Sequence, residues 1–277
     1  MMIKKKEIKK ILPKRGKCTN KATFGKVLNI AGSKNYTGAA YLSSLSALKV
    51  GAGYVTLASS EQVCQTVASM TPDVTFLALK NLDDLAAQLN NYGVISIGCG
   101  LSQNDDAGKL VDFIISASKE LLKPTVVDAD GLNLLSFMDI RELGQNFIIT
   151  PHPKELSGLL KIDVEEIQSD REKYAMIAAE KYNCTVVLKG YHTVIASNDK
   201  IEINPTGGNV LSKAGTGDVL TGMIAGFLAQ GTDSADAAKL GVYIHGAAGD
   251  LYAKKCGNYS LLASELLNFV PQILTKL

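Results

Sequence analysis

The segment Ala214-Gly215-Thr216-Gly217-Asp218 carries the residue types best suited to chemistry in this chain. Two glycines around a threonine allow a tight turn, and the apolar helical pattern that follows adds unpaired N–H groups and a positive dipole end, which predicts an anion site. Asp218 adds a carboxylate where an anion would bind, and this favours a catalytic group. The alternative, that Asp218 only complements the helix dipole as a first-turn acid, fits these residues equally well.

Three other loops follow predicted strands and carry unusual residues. They are Gly98-Cys-Gly100, Asp128-Ala-Asp130-Gly131 and Thr150-Pro-His152-Pro. In open α/β sheets the ligand crevice lies beyond the carboxyl ends of the strands. We therefore expect these three loops to lie together with the segment around Asp218.

Two common nucleotide motifs are absent from the glycine turns. Gly38 is followed by Ala39-Ala40 rather than by Lys and Ser or Thr, so the Walker phosphate loop is excluded. Gly98-x-Gly100 lacks the third glycine of the dinucleotide fingerprint, which weakens the case for a dehydrogenase.

Short continuous apolar runs alternate with helical patterns along most of the chain. Such runs are typical of parallel strands covered on both faces, and three close-set runs near residue 190 predict antiparallel edge strands. The predicted fold is α/β, with one domain over residues 1–277, a solvated leading helix, and a helix after Gly38 that buries Ala40, Leu45 and Leu48. Strands are predicted over 26–31, 53–58, 74–79, 94–98, 124–128, 147–149, 184–188, 192–196 and 200–203, and further helices over 61–70, 82–89, 163–182, 216–229, 234–256 and 261–277.

Composition limits the function classes. The 29 Lys and Arg residues nearly balance the 27 Asp and Glu residues, so the net charge of +2 argues against nucleic-acid binding. The five cysteines are far apart and odd in number, which argues against a disulfide framework or a zinc site and favours a reduced, cytoplasmic protein. No run reaches the roughly 18 apolar residues of a membrane span, so we expect a soluble protein without membrane contact.

Seven groups of residues together resemble one known family over nearly the whole chain. They are Ala31-Gly32-Ser33 with Gly38-Ala39-Ala40, Gly98-x-Gly100-Leu101, Asp128-Ala-Asp130-Gly131-Leu132, Thr150-Pro-His-Pro-x-Glu155, Leu188-Lys-Gly190 with Thr193, Asn204-Pro-Thr-Gly-Gly-Asn209, and Gly215-Thr-Gly-Asp218 with Leu220-Thr-Gly222. This set is similar to that of the stand-alone, ADP-dependent NAD(P)H-hydrate dehydratases of the ribokinase-like superfamily. Lys154 and Ala214 stand where glycine is usual, which bears on substrate fit rather than on reaction class.

The resemblance implies a ribokinase-like three-layer fold and a lyase for metabolite repair. Such enzymes use ADP (or ATP) with Mg²⁺ to remove water from NADHX and NADPHX, through phosphorylation of the ring hydroxyl and loss of phosphate. Phosphoryl transfer depends mainly on positioning and charge stabilisation, which suits a glycine loop at a helix N-terminus. The resemblance also implies a homo-tetramer and a separate epimerase. Neither the preferred nucleotide nor the preferred hydrate follows from the sequence.

The resemblance also assigns roles to individual residues. Asp218 becomes the catalytic base, with Gly215 and Gly217 supplying amides. Mg²⁺ would be held through phosphates and water, with no direct protein ligand. The implied positions are Ala40, Gly100, His152 and Asp218 for the hydrated dinucleotide, Lys189, Gly190, Tyr191, His192, Thr193 and Gly217 for the adenine nucleotide, and Asn209 and Asp128 for secondary contacts.

Some residues have a plainer alternative role. His152 lies between two prolines at a helix start, where it would serve as a cap. His192 and His245, as isolated histidines, are expected to be structural. Two other functions also remain open: a ribokinase-like kinase of a vitamin precursor, and a nucleotide-binding sensor without turnover.

Overall fold

A central sheet organises the molecule, for which the computed structural model describes residues 1–197 and 199–277. Across these residues nine strands form the sheet: β1 (Lys26–Ile30), β2 (Tyr54–Ser59), β3 (Thr75–Ala78), β4 (Val94–Ile97), β5 (Thr125–Val127), β6 (Phe147–Ile149), β7 (Thr185–Leu188), β8 (Val194–Ser197) and β9 (Lys200–Ile203). Their order is β3-β2-β1-β4-β5-β6-β7-β8-β9.

The pairing of the strands confirms the predicted mixed sheet. The strands from β3 to β7 are parallel, and β8 and β9 join antiparallel at one edge. The order reverses between β1 and β4, so the carboxyl ends of the parallel strands define one crevice edge.

Helices cover both faces of the sheet, which confirms the three-layer α/β fold. Neighbouring residues of one strand enter opposite cores: Val94 packs with one helical layer and Ile95 with the other. The helices within the described ranges are α1 (Lys5–Ile11), α2 (Thr37–Lys49), α3 (Glu61–Met70), α4 (Leu82–Ala86), α5 (Asp105–Glu120), α6 (Asp130–Leu135), α7 (Pro153–Leu160), α8 (Val164–Ser169), α9 (Arg171–Tyr182), α10 (Thr216–Ala229), α11 (Ser234–Cys256) and α12 (Ala263–Leu274).

The long helix predicted over 163–182 is wrong, because the chain forms two helices there. Asp170 leaves the helical conformation with ψ 77°, and its side chain accepts a hydrogen bond from the Lys173 N–H as the cap of α9. The helix predicted over 82–89 likewise ends at Ala86 and is followed by a 3₁₀ turn over Leu89–Asn91.

The inner face of α2 carries the predicted residues and also a serine that the prediction did not name. Ala40 is fully buried, Leu45 and Leu48 are half-buried and pack against the core, and Ser43 also lies inside. The cause is the close approach of α10, where a Cβ on Gly222 would collide with the Ser43 backbone carbonyl. Small residues on both helices therefore fix α10, and with it the candidate chemical residues at its start, against the sheet.

The leading helix α1 is not simply solvated, contrary to the prediction. Ile8 is completely buried. Ahead of the helix, Met2 forms a parallel bridge with Ile203, and the Met1 amine donates to the Ile201 carbonyl over 2.8 Å. The first residues therefore cover the free edge of β9, which would otherwise expose unpaired backbone groups.

Candidate active site

The turn before α10 has the geometry of an anion site. Gly215, the N-cap, has φ 91°, and a Cβ there would lie 2.7 Å from Leu42 Cδ1, so the position requires glycine. The Thr216 hydroxyl donates to the Leu211 and Lys213 carbonyls, at 2.9 Å each, and shapes the preceding loop. Among the described residues, the N–H groups of Gly217 and Asp218 find no acceptor, which leaves them available to an anion.

Asp218, in the first turn of α10, is half-buried and electrostatically perturbed. Burial raises its pKa to about 6, the charge of Asp128 adds to this effect, and the Cys99 thiol and the Lys189 ammonium oppose it. A carboxyl with this pKa is mostly ionised near neutral pH and still basic enough to accept a proton. The site therefore supplies what a general base requires.

Asp128 lies beneath the site rather than on its surface. It follows β5, is 1% exposed, and has both carboxylate oxygens occupied by protein groups. Oδ1 lies 2.6 Å from the Lys189 ammonium, and Oδ2 accepts a hydrogen bond of 2.5 Å from the Thr221 hydroxyl. Asp128 thus holds the ammonium of Lys189, which follows β7, close to the hydroxyl of Thr221 on α10.

Lys189 is a buried ammonium held between two carboxylates. Its Nζ lies 2.6 Å from Asp128 Oδ1 and 3.7 Å from Glu155 Oε2. Burial acts to lower the pKa of Lys189, but the two carboxylates outweigh it and raise the pKa above its usual value. Burial also raises the pKa of Glu155 to about 7, with Lys189 opposing this. The two carboxylates therefore keep Lys189 protonated at the wall of the site.

His152 caps α7, as its position between two prolines suggested. Its Nδ1 accepts the Glu155 N–H over 3.0 Å, and Glu155 Oε2 accepts the His152 N–H over 2.7 Å. Burial, followed by the charge of Lys189, lowers the pKa of His152. The side chain is 48% exposed, and the imidazole therefore serves as a cap while it also faces the site as a neutral group.

One cavity of about 690 Å³ gathers most residues assigned to the adenine nucleotide. Gly217 lines this cavity, whereas Asp218, Ala40 and Gly100 do not. Of the other residues singled out in the sequence, the cavity includes Lys189, Gly190, Tyr191, Thr193, Asn209, His152 and His245.

The loop over residues 189–193 forms the outer wall of this cavity. The rings of Tyr191 and His192 stack with centroids 4.0 Å apart and an angle of 23° between their planes. Tyr191 is 72% exposed, so the outer face of the ring pair is accessible. The Thr193 hydroxyl donates to the Gly190 carbonyl over 2.9 Å and closes the turn.

Of the residues assigned to the hydrated dinucleotide, Gly100 and Ala40 lie outside this cavity, whereas His152 lines it. Gly100 has φ 65°, and a Cβ there would lie 2.6 Å from Tyr36 Cβ. Ala40 is 0% exposed and packs under Gly32, where a Cβ would lie 2.8 Å from Ala40 Cβ. Ala40 therefore lies in the core and contributes to this region only by packing beneath Gly32.

Sequence reasoning named Asp130 and Thr221 only as motif members and missed Arg171, and it assigned none of the three the structural role seen near the site. Asp130 holds the Gly100 loop by accepting the Ser102 N–H over 2.8 Å and the Gln103 amide over 2.9 Å. Thr221 lies three residues after Asp218, so helical spacing could have shown that both share a face. Arg171 donates hydrogen bonds to the Tyr191 and Leu188 carbonyls, which are far from it in the sequence, so no local sequence pattern indicates this contact.

His245 contacts the start of α10 and also lines the cavity. It is 8% exposed, and its Nε2 lies 2.9 Å from the Thr216 carbonyl at the start of α10. Burial lowers its pKa to about 4, so the ring is neutral. It therefore supports the turn without adding charge.

The two departures from the family pattern are accommodated. Lys154 and Ala214 are both exposed, and neither has a positive φ. Neither position needs glycine for its backbone, so the loops keep their shape with side chains there.

The rest of the described chain was compared with this region for metal clusters, cavities and membrane spans. Within residues 1–197 and 199–277 there is no group of three or more His, Cys, Asp or Glu side chains arranged to hold a metal ion. A second cavity of about 720 Å³ lies near Thr185 and Lys239 and contains none of the residues assigned from the sequence. In the same ranges, none of the helices combines the length and the apolar character needed to cross a bilayer.

Solved structures define the class of protein. A ribokinase-like superfamily protein from Enterococcus faecalis matches with TM-score 0.91 and 24% identity, over 99% of this chain and 95% of that chain. At this identity the likeness shows the fold alone, and it confirms the ribokinase-like architecture.

The family follows from the sequence. The model of the NAD(P)H-hydrate dehydratase family matches residues 27–272, so the chain belongs to that family. The ADP-dependent (S)-NAD(P)H-hydrate dehydratase of Bacillus subtilis is 35% identical over 96% of this chain and 95% of its own length. A crystal structure of the ADP/ATP-dependent NAD(P)H-hydrate dehydratase from Bacillus subtilis, co-crystallised with ATP/Mg²⁺, matches with TM-score 0.87 and 32% identity over 99% and 98% of the two chains.

Other relatives are longer than this chain. The bifunctional NAD(P)H-hydrate repair enzyme Nnr of Moorella thermoacetica is 39% identical over 96% of this chain, which spans 52% of that relative. The chain thus covers about half the length of such bifunctional proteins.

Proposed function

We propose that this protein is an ADP-dependent (S)-NAD(P)H-hydrate dehydratase that converts NADHX and NADPHX back to NADH and NADPH. The observation that carries the proposal is the position of Asp218 at the boundary of two regions. The preceding residue, Gly217, lines the cavity, and the Asp218 carboxyl interacts with Cys99 in the Gly98–Gly100 loop. A nucleotide phosphate and a substrate hydroxyl can therefore meet at one carboxylate.

In the first step ionised Asp218 takes the proton of the ring hydroxyl, whose oxygen attacks the terminal phosphorus of the nucleotide. The bond from phosphorus to the bridging oxygen breaks and releases AMP from ADP, or ADP from ATP. The free N–H groups of Gly217 and Asp218, together with the start of α10, stabilise charge on the transferring group. Loss of phosphate and of one ring proton then restores the reduced nicotinamide.

Lys189 supports this step with a fixed charge. Lys189 lines the cavity and its ammonium pairs with Asp128. The carboxylates around the ammonium raise its pKa. A permanently charged lysine favours binding of anionic phosphates and also favours the ionised form of Asp218. Gly190, Tyr191, His192, Thr193 and Asn209 complete the proposed nucleotide site, and Ala40, Gly100 and His152 the proposed dinucleotide site.

Mg²⁺ would enter the site bound to the phosphates of the nucleotide. Asp128 is 1% exposed and its oxygens hold Lys189 and Thr221, which favours a structural role for this carboxylate over direct metal binding. Mg²⁺ bound to phosphates and water would supply charge neutralisation at the transferring phosphoryl group.

We propose the following domain organisation, oligomeric state and nucleotide preference. The single sheet formed by the strands supports one ribokinase-like dehydratase domain over residues 1–277. We further infer ADP as the preferred nucleotide, in line with the name of the Bacillus subtilis relative. A homo-tetramer, which the family resemblance implies, is part of the same proposal. Light scattering of the purified protein measures the oligomeric state.

The function is tested by incubating the purified protein with NADHX or NADPHX, Mg²⁺, and either ADP or ATP. The expected result is a return of reduced-nicotinamide absorbance that requires the nucleotide. No return with either nucleotide would contradict the proposal. A stable phosphorylated product on a vitamin precursor would instead identify a small-molecule kinase, and tight ADP binding without turnover would identify a sensor.

A further inference from the structure

The loop over residues 189–193 needs support that the sheet does not provide. Pairing of β7 with β8 ends at Leu188 and Val194. Between them, Gly190 has φ 147° and His192 has φ 52°, so the backbone twice adopts a conformation with positive φ. For His192, which has a side chain, this conformation costs free energy that other contacts must offset.

Arg171 provides these contacts from the first position of α9. One guanidinium nitrogen donates to the Tyr191 carbonyl over 2.6 Å and lies 3.5 Å from the His192 carbonyl. The other donates to the Leu188 carbonyl over 2.9 Å. A single side chain therefore ties together the start, the middle and the end of the turn.

The fit between Arg171 and the loop is close. A Cβ on Gly190 would lie 2.8 Å from a guanidinium nitrogen, so the glycine makes room for the arginine. Arg171 is partly buried, and this burial lowers its pKa. A charge removed from water in this way is stabilised by the carbonyl oxygens that surround it.

Arg171 itself is not among the residues that line the cavity, whereas Gly190, Tyr191 and Thr193 are. Any influence of Arg171 on a ligand must therefore pass through the loop. The loop in turn presents the stacked Tyr191 and His192 rings, with Tyr191 exposed. Flat aromatic faces of this kind stack with nucleobases.

We propose that Arg171 is the positioning residue of the adenine-nucleotide site, because it holds the 189–193 loop so that the Tyr191 and His192 rings form a platform for the base. This inference rests on the proposed nucleotide-dependent function. Lysine cannot replace the arginine fully, because a planar fork of several donors reaches three carbonyls whereas an ammonium is a point charge.

The test compares Arg171→Ala and Arg171→Lys with the wild type. We expect Arg171→Ala to weaken ADP binding in calorimetry by about 10- to 100-fold, as expected for loss of hydrogen bonds from a charged group. Arg171→Lys should recover part of this affinity. The turnover number at saturating nucleotide and the KM for NADHX should stay within about twofold, since Arg171 touches neither the reacting atoms nor the Gly100 loop.

Backbone hydrogen exchange adds a readout that does not depend on the reaction. Amides of residues 189–193 should exchange faster in Arg171→Ala, while those of β5 and β6 keep their protection. The matched control is Glu172→Ala, which alters the exposed neighbour on the same helix and should change neither loop exchange nor ADP affinity. If Arg171→Ala fails to fold, Arg171→Lys is measured in the same way.

Wild-type exchange rates in the loop, or wild-type ADP affinity, in both Arg171 variants would overturn the inference. Parallel increases in the KM values for NADHX and nucleotide would also overturn it, because they would indicate a general structural role. Failure of the wild type itself to bind ADP or ATP would contradict the proposed function as well, and the wild-type titration alone identifies that case.

Discussion

The two regions proposed beside Asp218 both contain close-packed glycines, but they differ in what else forms them. The adenine-nucleotide region is a cavity walled by side chains and by a loop that hydrogen bonds hold in place. The region assigned to the hydrated dinucleotide is shaped by missing side chains: Gly32 and Gly100 lie where a Cβ would collide with a neighbour. Substitution of an exposed side chain in the first region, such as Tyr191, should therefore change ligand affinity alone, whereas substitution of Gly32 or Gly100 in the second should also reduce stability.

Asp218 follows Gly217 of the cavity wall and contacts Cys99 of the Gly98–Gly100 loop, and α10 holds it rigidly between the two proposed regions. The close packing of α10 on α2 fixes the helix, and Asp128 ties it to the end of β5 through Thr221. A substitution of Asp218 should therefore reduce turnover without changing the affinity for either ADP or NADHX.

The largest effect is expected for Asp218→Asn. Loss of a general base should lower the turnover number by roughly 10²- to 10⁴-fold. The amide is close in shape and removes only the basic group, so the dissociation constants for ADP and for NADHX should stay within a few-fold of wild type. Steady-state kinetics and calorimetry on the same preparation check both parts.

A matched control for that substitution is Asp105→Asn, which alters an exposed first-turn acid of α5. It should leave turnover unchanged. Equal small losses in both variants would indicate that Asp218 acts only on the helix dipole.

Asp128→Asn should have the next largest effect, because it removes one partner of a buried ion pair. Such a loss costs about 3–5 kcal/mol of the free energy of unfolding, which urea denaturation measures. The same change should shift the pH profile. The Asp128 charge raises the pKa of Asp218, and activity requires ionised Asp218, so the acidic limb of kcat/KM near pH 6 should move to lower pH.

For this prediction Asp112→Asn, at an exposed position of α5, is the control and should affect neither quantity. An acidic limb that stays in place or moves to higher pH in Asp128→Asn would contradict the coupling between the two aspartates.

Gly100→Ala should affect both binding and stability. The position has φ 65°, which costs a residue with a side chain about 1–2 kcal/mol, and the new methyl group would press on Tyr36. We expect the KM for NADHX to rise by roughly tenfold, the melting temperature to fall, and the ADP affinity to stay constant. Gly108→Ala, inside α5 where a Cβ has room, should change none of the kinetic constants. A selective change in ADP affinity would reverse the assignment of the two regions.

The smallest effect is expected for Tyr191→Ala. Removal of the exposed ring should weaken ADP binding by about 5- to 10-fold, the equivalent of a stacking contribution near 1 kcal/mol, without loss of stability. Tyr191→Phe keeps the ring and should bind as the wild type does. An ADP affinity that is unchanged in Tyr191→Ala would place the base elsewhere in the cavity.

Much of the fold was predictable because apolar runs bounded by glycine or polar residues have few alternative structures. The strand Phe147–Ile149 and the helices Glu61–Met70, Thr216–Ala229 and Ser234–Cys256 have the predicted bounds. The break at Asp170 was missed because the apolar spacing continues through it, and only the side-chain cap shows the interruption.

The site was less predictable, because its key contacts join residues far apart in the chain. Motifs indicated the loops that carry Asp128, Lys189 and Asp218, but no spacing reveals that Asp128 is buried beneath the other two. The role of Arg171 depends on where α9 places it beside a loop about 20 residues later in the chain. The serines buried on α2 likewise depend on distant residues, because they pack against Gly222 of α10 and accept hydrogen bonds from the Asn29 side chain of β1.

The most direct test of the central claim is a count of products in one reaction with NADHX, ADP and Mg²⁺. Coupling of the two regions at Asp218 predicts one AMP and one inorganic phosphate for each NADH formed, with none of these products accumulating in Asp218→Asn. NADH formed without nucleotide cleavage, or a phosphorylated product that accumulates without NADH, would contradict the account.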